Sequence, residues 1–277
     1  MYKGKTKFQI FIYTGAVLIC LFSLIPILWS LSTSFKSNAF MFLQPPQWIP
    51  KQISFEHYKE ILNNPKMMKY FFNSFITAAA STIIALIIGV LGAYGFSRYK
   101  FPGRKTLLIS ILLTRMLPRV ALIVPFFITL QKIKMYNTRA GLILVFLTIT
   151  MPLSIWLLKG FFDSIPYEIE EAATIDGCSA LGILTRVIIP IILPGIASVG
   201  MYVFITAWNE FLFVLVLTSG EELRTISVAL AFFIDEWGIR WGPLMAASIL
   251  MSIPAIIVFT MFQKSLIKGL SEGAVKG

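Results

Sequence analysis

Residues 71–97 read FFNSFITAAASTIIALIIGVLGAYGFS and contain no Asp, Glu, Lys or Arg. An α-helix needs about 20 such residues to cross the hydrocarbon core of a bilayer, which is about 30 Å thick. Polar and apolar side chains do not alternate along the run, so a helix is favoured over a membrane strand. Five other apolar runs also predict transmembrane helices, and the full set of predicted spans is 8–33, 71–97, 106–130, 140–160, 195–219 and 242–264.

The composition of the whole chain is also typical of a membrane protein. Of its 277 residues, 57% are hydrophobic and only 13% are charged, and the mean hydropathy is +0.81. A soluble domain carries about 25% charged residues. Because lipid cannot satisfy backbone polar groups, the spans must be helices or a closed barrel. We therefore expect an all-α integral membrane protein with six transmembrane helices in a single domain over residues 1–277, with Gly89, Gly92 and Ala93 allowing close helix packing.

Basic residues beside the early spans predict the orientation of the chain. Lys3, Lys5 and Lys7 precede the first span, and the segment RYKFPGRK at 98–105 holds four basic groups. Such flanks are enriched on the cytoplasmic side, so we expect both termini, including the tail at 265–277, in the cytoplasm. The first run is longer than the core of a signal peptide, so we expect a retained anchor. Basic flanks against the lipid bilayer account for the net charge of +11, and no nucleic-acid partner is expected.

The chain lacks the side chains that catalysis and metal binding usually need. It contains one histidine, His57, and two cysteines, which are too few for a zinc site of the His and Cys type. No Gly-rich phosphate loop precedes a soluble helix. We therefore expect no catalytic residue, no metal site and no bound cofactor, and we expect His57 on a short surface helix.

The segment IPYEIEEAATIDGCSALGILTRVIIP at 165–190 interrupts the apolar runs. Pro166 suits the first turn of a helix, Gly177 can adopt the left-handed conformation that ends one, and Ser179 can cap a second. Residues 161–176 hold five acids and no base. The loop at 161–194 is therefore predicted to contain a short acidic helix followed by a second helix.

The acidic helix favours a protein partner over a lipid surface. Helices that lie on membranes usually carry Lys and Arg on their polar face, whereas anionic lipid would repel this one. Small alanine side chains permit insertion into a groove, and a carboxylate can pair with a basic groove wall. An ordinary interfacial loop that merely connects two spans remains the alternative.

The spacing of these residues resembles a known loop signature. Glu171-Ala172-Ala173 is followed after three residues by Gly177, and after nine more by the tetrad VIIP at 187–190. This pattern resembles the membrane subunits of bacterial binding-protein-dependent ATP-binding-cassette importers, and IPYEIEEAATIDG resembles their carbohydrate branch, particularly the maltose-type second permease. Further matches are NSF at 73–75, MLP at 116–118, WNEF at 208–211, IP at 253–254 and the tail KGLSEGAVKG.

The resemblance implies a function, a location and a set of partners. The chain would be the permease subunit of a sugar or oligosaccharide importer in a bacterial plasma membrane, and it would not itself be an enzyme. Its partners would be a second homologous permease, an ATPase dimer that binds ATP and Mg²⁺, and an extracytoplasmic solute-binding protein. Residues 34–70 and 220–241 would help to receive that binding protein, although they could equally be plain connecting loops.

The resemblance also implies roles for particular residues. The first helix of the loop would dock into a cleft of the ATPase, and the residues that would couple ATP hydrolysis to transport are Glu171, Ala172, Ala173, Asp176 and Gly177. The glycine-rich tail resembles the maltose-type tail that also reaches the ATPase pair, through Gly269, Gly273 and Gly277. A disordered terminus is the alternative for this tail.

Ionisable side chains inside predicted spans are candidates for the solute path. A charge near a helix centre costs about 2.5–3.5 kcal/mol on insertion scales, so it tends to face a cavity or a partner. The candidates are Arg115, Arg119, Asn209 and Glu210, with Trp208 as an aromatic surface for a sugar ring. Alternatively, Glu210 pairs with Arg115 or bonds across a permease dimer and has only a packing role.

Two functions of other classes remain as alternatives. An ion-coupled secondary transporter of a small polar solute could use Glu210 and Arg115 as its coupling pair. This function would not explain the acidic loop at 161–194. An intramembrane enzyme is disfavoured because no catalytic constellation is present.

Overall fold

The structure of the protein, a computed structural model, describes residues 3–235 and 238–274. Helices dominate this part of the chain. The α-helices are α1 (Lys3–Ser34), α2 (Glu56–Leu62), α3 (Pro65–Arg98), α4 (Arg104–Leu113), α5 (Ile123–Lys132), α6 (Arg139–Asp163), α7 (Tyr167–Ile175), α8 (Ala180–Gly182), α9 (Ile189–Ile191), α10 (Leu193–Trp208), α11 (Leu212–Leu217), α12 (Ile226–Leu230) and α13 (Trp241–Ala274). A π-helical segment, Ile183–Ile188, joins α8 to α9, and strands β1 (Ile234–Asp235) and β2 (Gly238–Ile239) form an antiparallel ribbon.

Four helices of the described residues are long and apolar enough to cross a membrane without interruption. They are Phe8–Ser34, Pro65–Arg98, Arg139–Asp163 and Trp241–Gln263. These ranges agree with the predicted spans at 8–33, 71–97, 140–160 and 242–264. The prediction of an all-α membrane protein is confirmed.

The predicted span at 106–130 is not a straight helix. Arg104–Met116 and Arg119–Lys132 are bent by 101° at the residues between them. Pro118 disfavours helical geometry in the preceding residue, and Leu117 is extended, with φ −68° and ψ 132°. The two arms therefore form either one broken span or a re-entrant loop.

The predicted span at 195–219 is also wrong in its bounds. Its helix ends at Trp208, and α11 begins only at Leu212. At its other end, Leu193–Trp208 meets the helical run Ala180–Ile191 at a bend of 79°. Counting each bent pair as one span gives up to six crossings, and otherwise the described residues contain four.

The described contacts divide the chain into two compact units, and the larger contains residues 69–229 and 253–277. Its core includes α3 packed on α6, where a Cβ atom at Gly89 would lie 3.1 Å from the Cδ1 atom of Leu158. Ala93 is fully buried in the same core. The small residues of α3 therefore allow the close helix packing that their sequence predicts.

The smaller unit contains residues 1–68 and 230–252. The expectation that His57 lies on the surface is wrong, because its ring is buried and its Nε2 atom lies 2.9 Å from the carbonyl oxygen of Lys36. The Lys36 ammonium lies over the Trp29 ring, 4.2 Å from its centroid, and burial lowers the pKa of Lys36. Packing of α13 explains the burial of His57, since a Cβ atom at Gly242 would lie 2.1 Å from Nε2.

Candidate functional site

The loop between α6 and α10 forms two helices, as the sequence predicts. Helix α7 starts after Pro166 and ends at Ile175; Asp176 is its C-cap residue, and Gly177 then takes a left-handed φ of +80°. The backbone N–H of Cys178 then donates to the carbonyl of Ala173 at 3.0 Å. The Ser179 hydroxyl accepts from the N–H of Gly182 at 3.2 Å and starts the second helical run.

A buried ion pair fastens α7 to the end of α3. Arg98 is the last residue of α3, and its Nε atom donates to Oε1 of Glu170. The Tyr94 hydroxyl donates to the other carboxylate oxygen at 3.1 Å. The side chains of Arg98 and Glu170 are only 6% and 13% exposed. Glu170 is thus an internal anchor of the loop and not a free carboxylate.

Further hydrogen bonds from the end of α3 hold the turn that connects α6 to α7. A second nitrogen of Arg98, Nη2, donates to the carbonyl of Ile165 at 3.1 Å. The Ser97 hydroxyl donates to Asp163 at 2.6 Å, and Asp163 also pairs with Lys159. The Tyr167 hydroxyl donates to the carbonyl of Ser97 at 3.2 Å. The loop and α3 are therefore tied together at several points, and they should move together.

Ala173 packs inside the loop. It is buried in the same hydrophobic cluster as Ile183, Leu184 and Ile188, which belong to the π-helical segment. Its methyl group therefore joins the two helices of the loop and does not reach the surface. The predicted coupling residue Ala173 thus lies beneath the exposed face of α7.

Four exposed residues of α7, namely Glu168, Glu171, Ala172 and Ile175, lie together on one face of the helix. These positions are spaced three and four residues apart, so they lie on one side of the helix. Ile175 is 87% exposed. Asp176 and Gly177 are exposed at the end of the helix. We call Glu168, Glu171, Ala172 and Ile175 the α7 face.

A second cluster joins the two breaks in the helices. The Glu210 carboxylate, in the segment between α10 and α11, is 7% exposed. It accepts from the backbone N–H of Phe213 at 3.2 Å and lies 3.4 Å from Nη1 of Arg119, which follows the break at Pro118. Glu210 therefore accepts a bond from the first turn of α11 and connects it to the helical run Arg119–Lys132. The basic partner of Glu210 in the structure is therefore Arg119 and not Arg115, whose Nη1 atom donates to the Tyr202 hydroxyl at 2.8 Å.

Residues 85–272 match the family of the binding-protein-dependent transport system inner membrane component. The chain belongs to this family. The permease is thus a multi-pass membrane protein, and ATP hydrolysis belongs to a partner subunit and not to this chain.

Similar proteins cover almost the whole permease. The diacetylchitobiose uptake system permease protein DasC of Streptomyces coelicolor is 34% identical over 95% of each chain. The trehalose/maltose transport system permease protein MalG of Thermococcus litoralis is 36% identical over 97% of each chain. In the crystal structure of a bacterial ABC transporter that imports the acidic polysaccharide alginate, a chain with 28% identity superposes with a TM-score of 0.80, covering 92% of the permease and 96% of that chain.

The remaining predicted solute-path residues of the permease lie in different surroundings. Trp208 is 2% exposed and stacks on Phe204, with ring centroids 5.8 Å apart. Asn209 is exposed, and its Nδ2 atom donates to the carbonyl of Ile205 at 2.9 Å. The Arg115 side chain is exposed beside Tyr202. Trp208 is thus part of the packed interior beside the break between α10 and α11. Asn209 and Arg115 are exposed and could be reached by a solute.

The predicted tail residues fall at the end of the described chain. Gly269 and Gly273 lie within α13, which continues to Ala274. Gly277 lies outside the described residues. Among the described residues, no three His, Cys, Asp or Glu side chains are grouped so that they could hold a metal ion.

Sequence reasoning missed three residues of the loop site in the permease. Ile175 could have been found from its spacing, because it lies four residues after Glu171. The anchoring roles of Arg98 and Glu170 had no such signal, since they are separated by 72 positions in the chain.

Proposed function

We propose that the permease carries a sugar or oligosaccharide across the membrane as one of two homologous permeases in an ATP-driven importer. An extracytoplasmic binding protein delivers the solute, and a dimer of ATPase subunits binds ATP and Mg²⁺. The choice of a sugar is supported by the relatives, whose names refer to diacetylchitobiose, trehalose and maltose. If each bent helix pair is one span, the chain crosses the membrane six times, and both termini and the α7 loop lie on the same side. We assign this side to the cytoplasm, where the ATPase is located.

The observation that carries this proposal is the α7 face. An isoleucine that is 87% exposed stands beside Glu171 and Ala172, on a helix whose opposite side is fixed to α3. An apolar side chain in that position gains free energy when a partner covers it, and the adjacent carboxylate suits a basic wall of the receiving groove. The ATPase is the partner that we assign to this face.

Movement of the docked loop would reach the solute path through two connections. One is the Arg98–Glu170 pair to α3, and the other is the helical run Ala180–Ile191, which leads directly into α10. Helix α10 ends at Trp208, just before the break that contains Glu210. The Glu210 carboxylate forms an ion pair with Arg119 there. Rotation of the loop would therefore be passed to the two breaks, which can act as hinges.

Reconstitution in lipid vesicles tests the proposed function. Vesicles that contain both permeases and the ATPase dimer, with the binding protein outside and ATP inside, are expected to take up radiolabelled diacetylchitobiose, trehalose or maltose. An ionophore that collapses the membrane potential should leave this uptake unchanged, because the energy comes from ATP. Uptake by the permease alone, or immediate loss of uptake with the potential, would instead establish the ion-coupled transporter.

Replacing Glu210 by glutamine tests the proposed solute path. The amide oxygen can still accept from Phe213 N–H, so the helix cap should persist, while the charge that positions Arg119 is lost. Hydrogen bonds to charged groups contribute about 1.5–3 kcal/mol, so we expect the solute concentration for half-maximal uptake to rise about tenfold or more. Initial uptake rates over a range of solute concentrations provide the measurement.

The control for this experiment is Lys132→Gln. It removes an exposed charge at the end of α5, outside the proposed solute-path residues and the segments at 34–70 and 220–241, and uptake should not change. If Glu210→Gln has normal uptake but reduced thermal stability, the Arg119–Glu210 pair has only a packing role.

A further inference from the structure

A basic cavity lies between the end of α3 and the start of α4. Its volume is about 610 Å³, and it is open on one side. The residues that matter for its chemistry are Lys100, Arg104, Lys105, Lys159, Phe101 and Leu108. No lining residue belongs to the loop at 161–194 or to the proposed solute path.

The cavity is located where the chain leaves one apolar helix and enters the next. Helix α3 ends at Arg98 and α4 begins at Arg104, and both belong to candidate membrane spans. The intervening residues 99–103 must therefore lie near the boundary between hydrocarbon and lipid headgroups. A ligand that enters this cavity meets the headgroup layer first.

The charges around the cavity are mostly unbalanced. Lys159 is paired with Asp163, and Arg104 donates through Nη1 to the carbonyl of Tyr99 at 3.3 Å. In the described part of the chain, neither Lys100 nor Lys105 forms an ion pair with a carboxylate, and both are exposed. The lining thus contains four cations, of which only Lys159 is paired with a carboxylate, that of Asp163 outside the lining, so an anion would relieve their mutual repulsion.

The first turn of α4 adds to this preference for an anion. Its N-cap is Gly103, with φ +77°, which offers no side chain to cap the turn. No acidic residue lies in the first turn either. The first N–H groups of a helix lack partners within the helix, and the helix dipole favours negative charge there.

The apolar part of the lining distinguishes a lipid from a soluble anion. The ring of Phe101 packs against that of Phe96, with centroids 5.8 Å apart, and Leu108 lies on the first turns of α4 beside it. A free phosphate has no apolar atoms to bury against these side chains, whereas the glycerol and upper acyl carbons of a lipid can cover them.

We propose that this cavity binds the phosphate headgroup of an anionic glycerophospholipid. Lys100, Arg104 and Lys105 contact the phosphate, while Phe101 and Leu108 contact the glycerol and the start of an acyl chain. Basic pockets between transmembrane helices recognise anionic headgroups in this way.

Lipid binding to the intact importer complex tests this assignment. The complex is titrated in detergent with phosphatidylglycerol, phosphatidylcholine or glycerol 3-phosphate, and bound molecules are counted by native mass spectrometry. We expect saturable binding of phosphatidylglycerol and much weaker binding of the other two. In the triple variant Lys100→Gln, Arg104→Gln and Lys105→Gln, the affinity for phosphatidylglycerol should fall roughly 100-fold, because each basic group near anionic lipid contributes a factor of about five.

The matched control removes three exposed lysines elsewhere, through Lys51→Gln, Lys59→Gln and Lys132→Gln, and should retain lipid binding. The proposal is overturned if the first triple variant keeps its affinity or if the control loses as much. Displacement of the lipid by equimolar glycerol 3-phosphate would assign the cavity to a soluble phosphate ester instead. Loss of the ATPase subunits from the triple variant, with lipid binding unchanged, would assign it to an acidic protein surface.

Discussion

Glu171→Lys is expected to abolish the coupling of solute uptake to ATP hydrolysis while the permease still folds and reaches the membrane. Glu171 is exposed on the α7 face, so its removal breaks no described contact within the chain. At the proposed interface, a lysine would face a basic groove wall, and disrupting a close charge pair costs about 2–5 kcal/mol. Uptake should fall about a hundredfold or more. Parallel assays of uptake and ATP hydrolysis by the reconstituted complex provide the measurement.

The control for Glu171→Lys is the opposite charge reversal, Lys132→Glu. Both side chains are exposed, but Lys132 is the last residue of α5 and lies outside the loop at 161–194 and the segments at 34–70 and 220–241. Exposed substitutions of this kind change stability by about 0.5 kcal/mol or less, so Lys132→Glu should transport normally. Wild-type uptake by Glu171→Lys would remove the basis for docking through the α7 face.

Glu170→Ala is expected to act in a different way, by loosening the loop. It leaves the Arg98 guanidinium, which is 6% exposed, without its carboxylate. Breaking a buried ion pair by removing one partner costs about 3–5 kcal/mol. We therefore expect lower thermal stability of the purified permease, faster proteolysis within residues 161–194 and loss of uptake.

A double variant separates anchoring from docking. In Arg98→Leu with Glu170→Leu no buried charge is left unpaired, so much of the lost stability should return. The α7 face is not altered, and uptake should recover in part. If Glu170→Ala is as stable as the unaltered permease but fails to transport, Glu170 contacts the partner directly and its anchoring role is wrong.

Proline positions show how far the sequence predicts the helices. Pro26, Pro152 and Pro254 all lie inside continuous helices, whereas Pro118 stands at the 101° bend. A proline always removes one backbone donor. Whether the helix continues depends on how neighbouring groups satisfy the freed carbonyl and pack around it, and this cannot be read from the proline itself.

The break after Trp208 has a similar explanation. The sequence around it is apolar enough to predict a continuous span, and only Asn209 and Glu210 interrupt it. The helix stops because the Glu210 side chain turns inward to bond Phe213 N–H and Arg119. A buried carboxylate needs such partners, and Arg119 comes from a distant part of the chain.

The sequence by itself determined the membrane class, the approximate positions of four of the six predicted spans and a helix–turn–helix between 161 and 194. These features depend on side-chain composition and on local backbone preferences, such as the left-handed Gly177 and the Ser179 cap. Only the tertiary structure decided which of two adjacent carboxylates is fixed and which is free. Neighbouring helical residues point about 100° apart, and the position of Arg98 on α3 turns Glu170 inward and leaves Glu171 exposed.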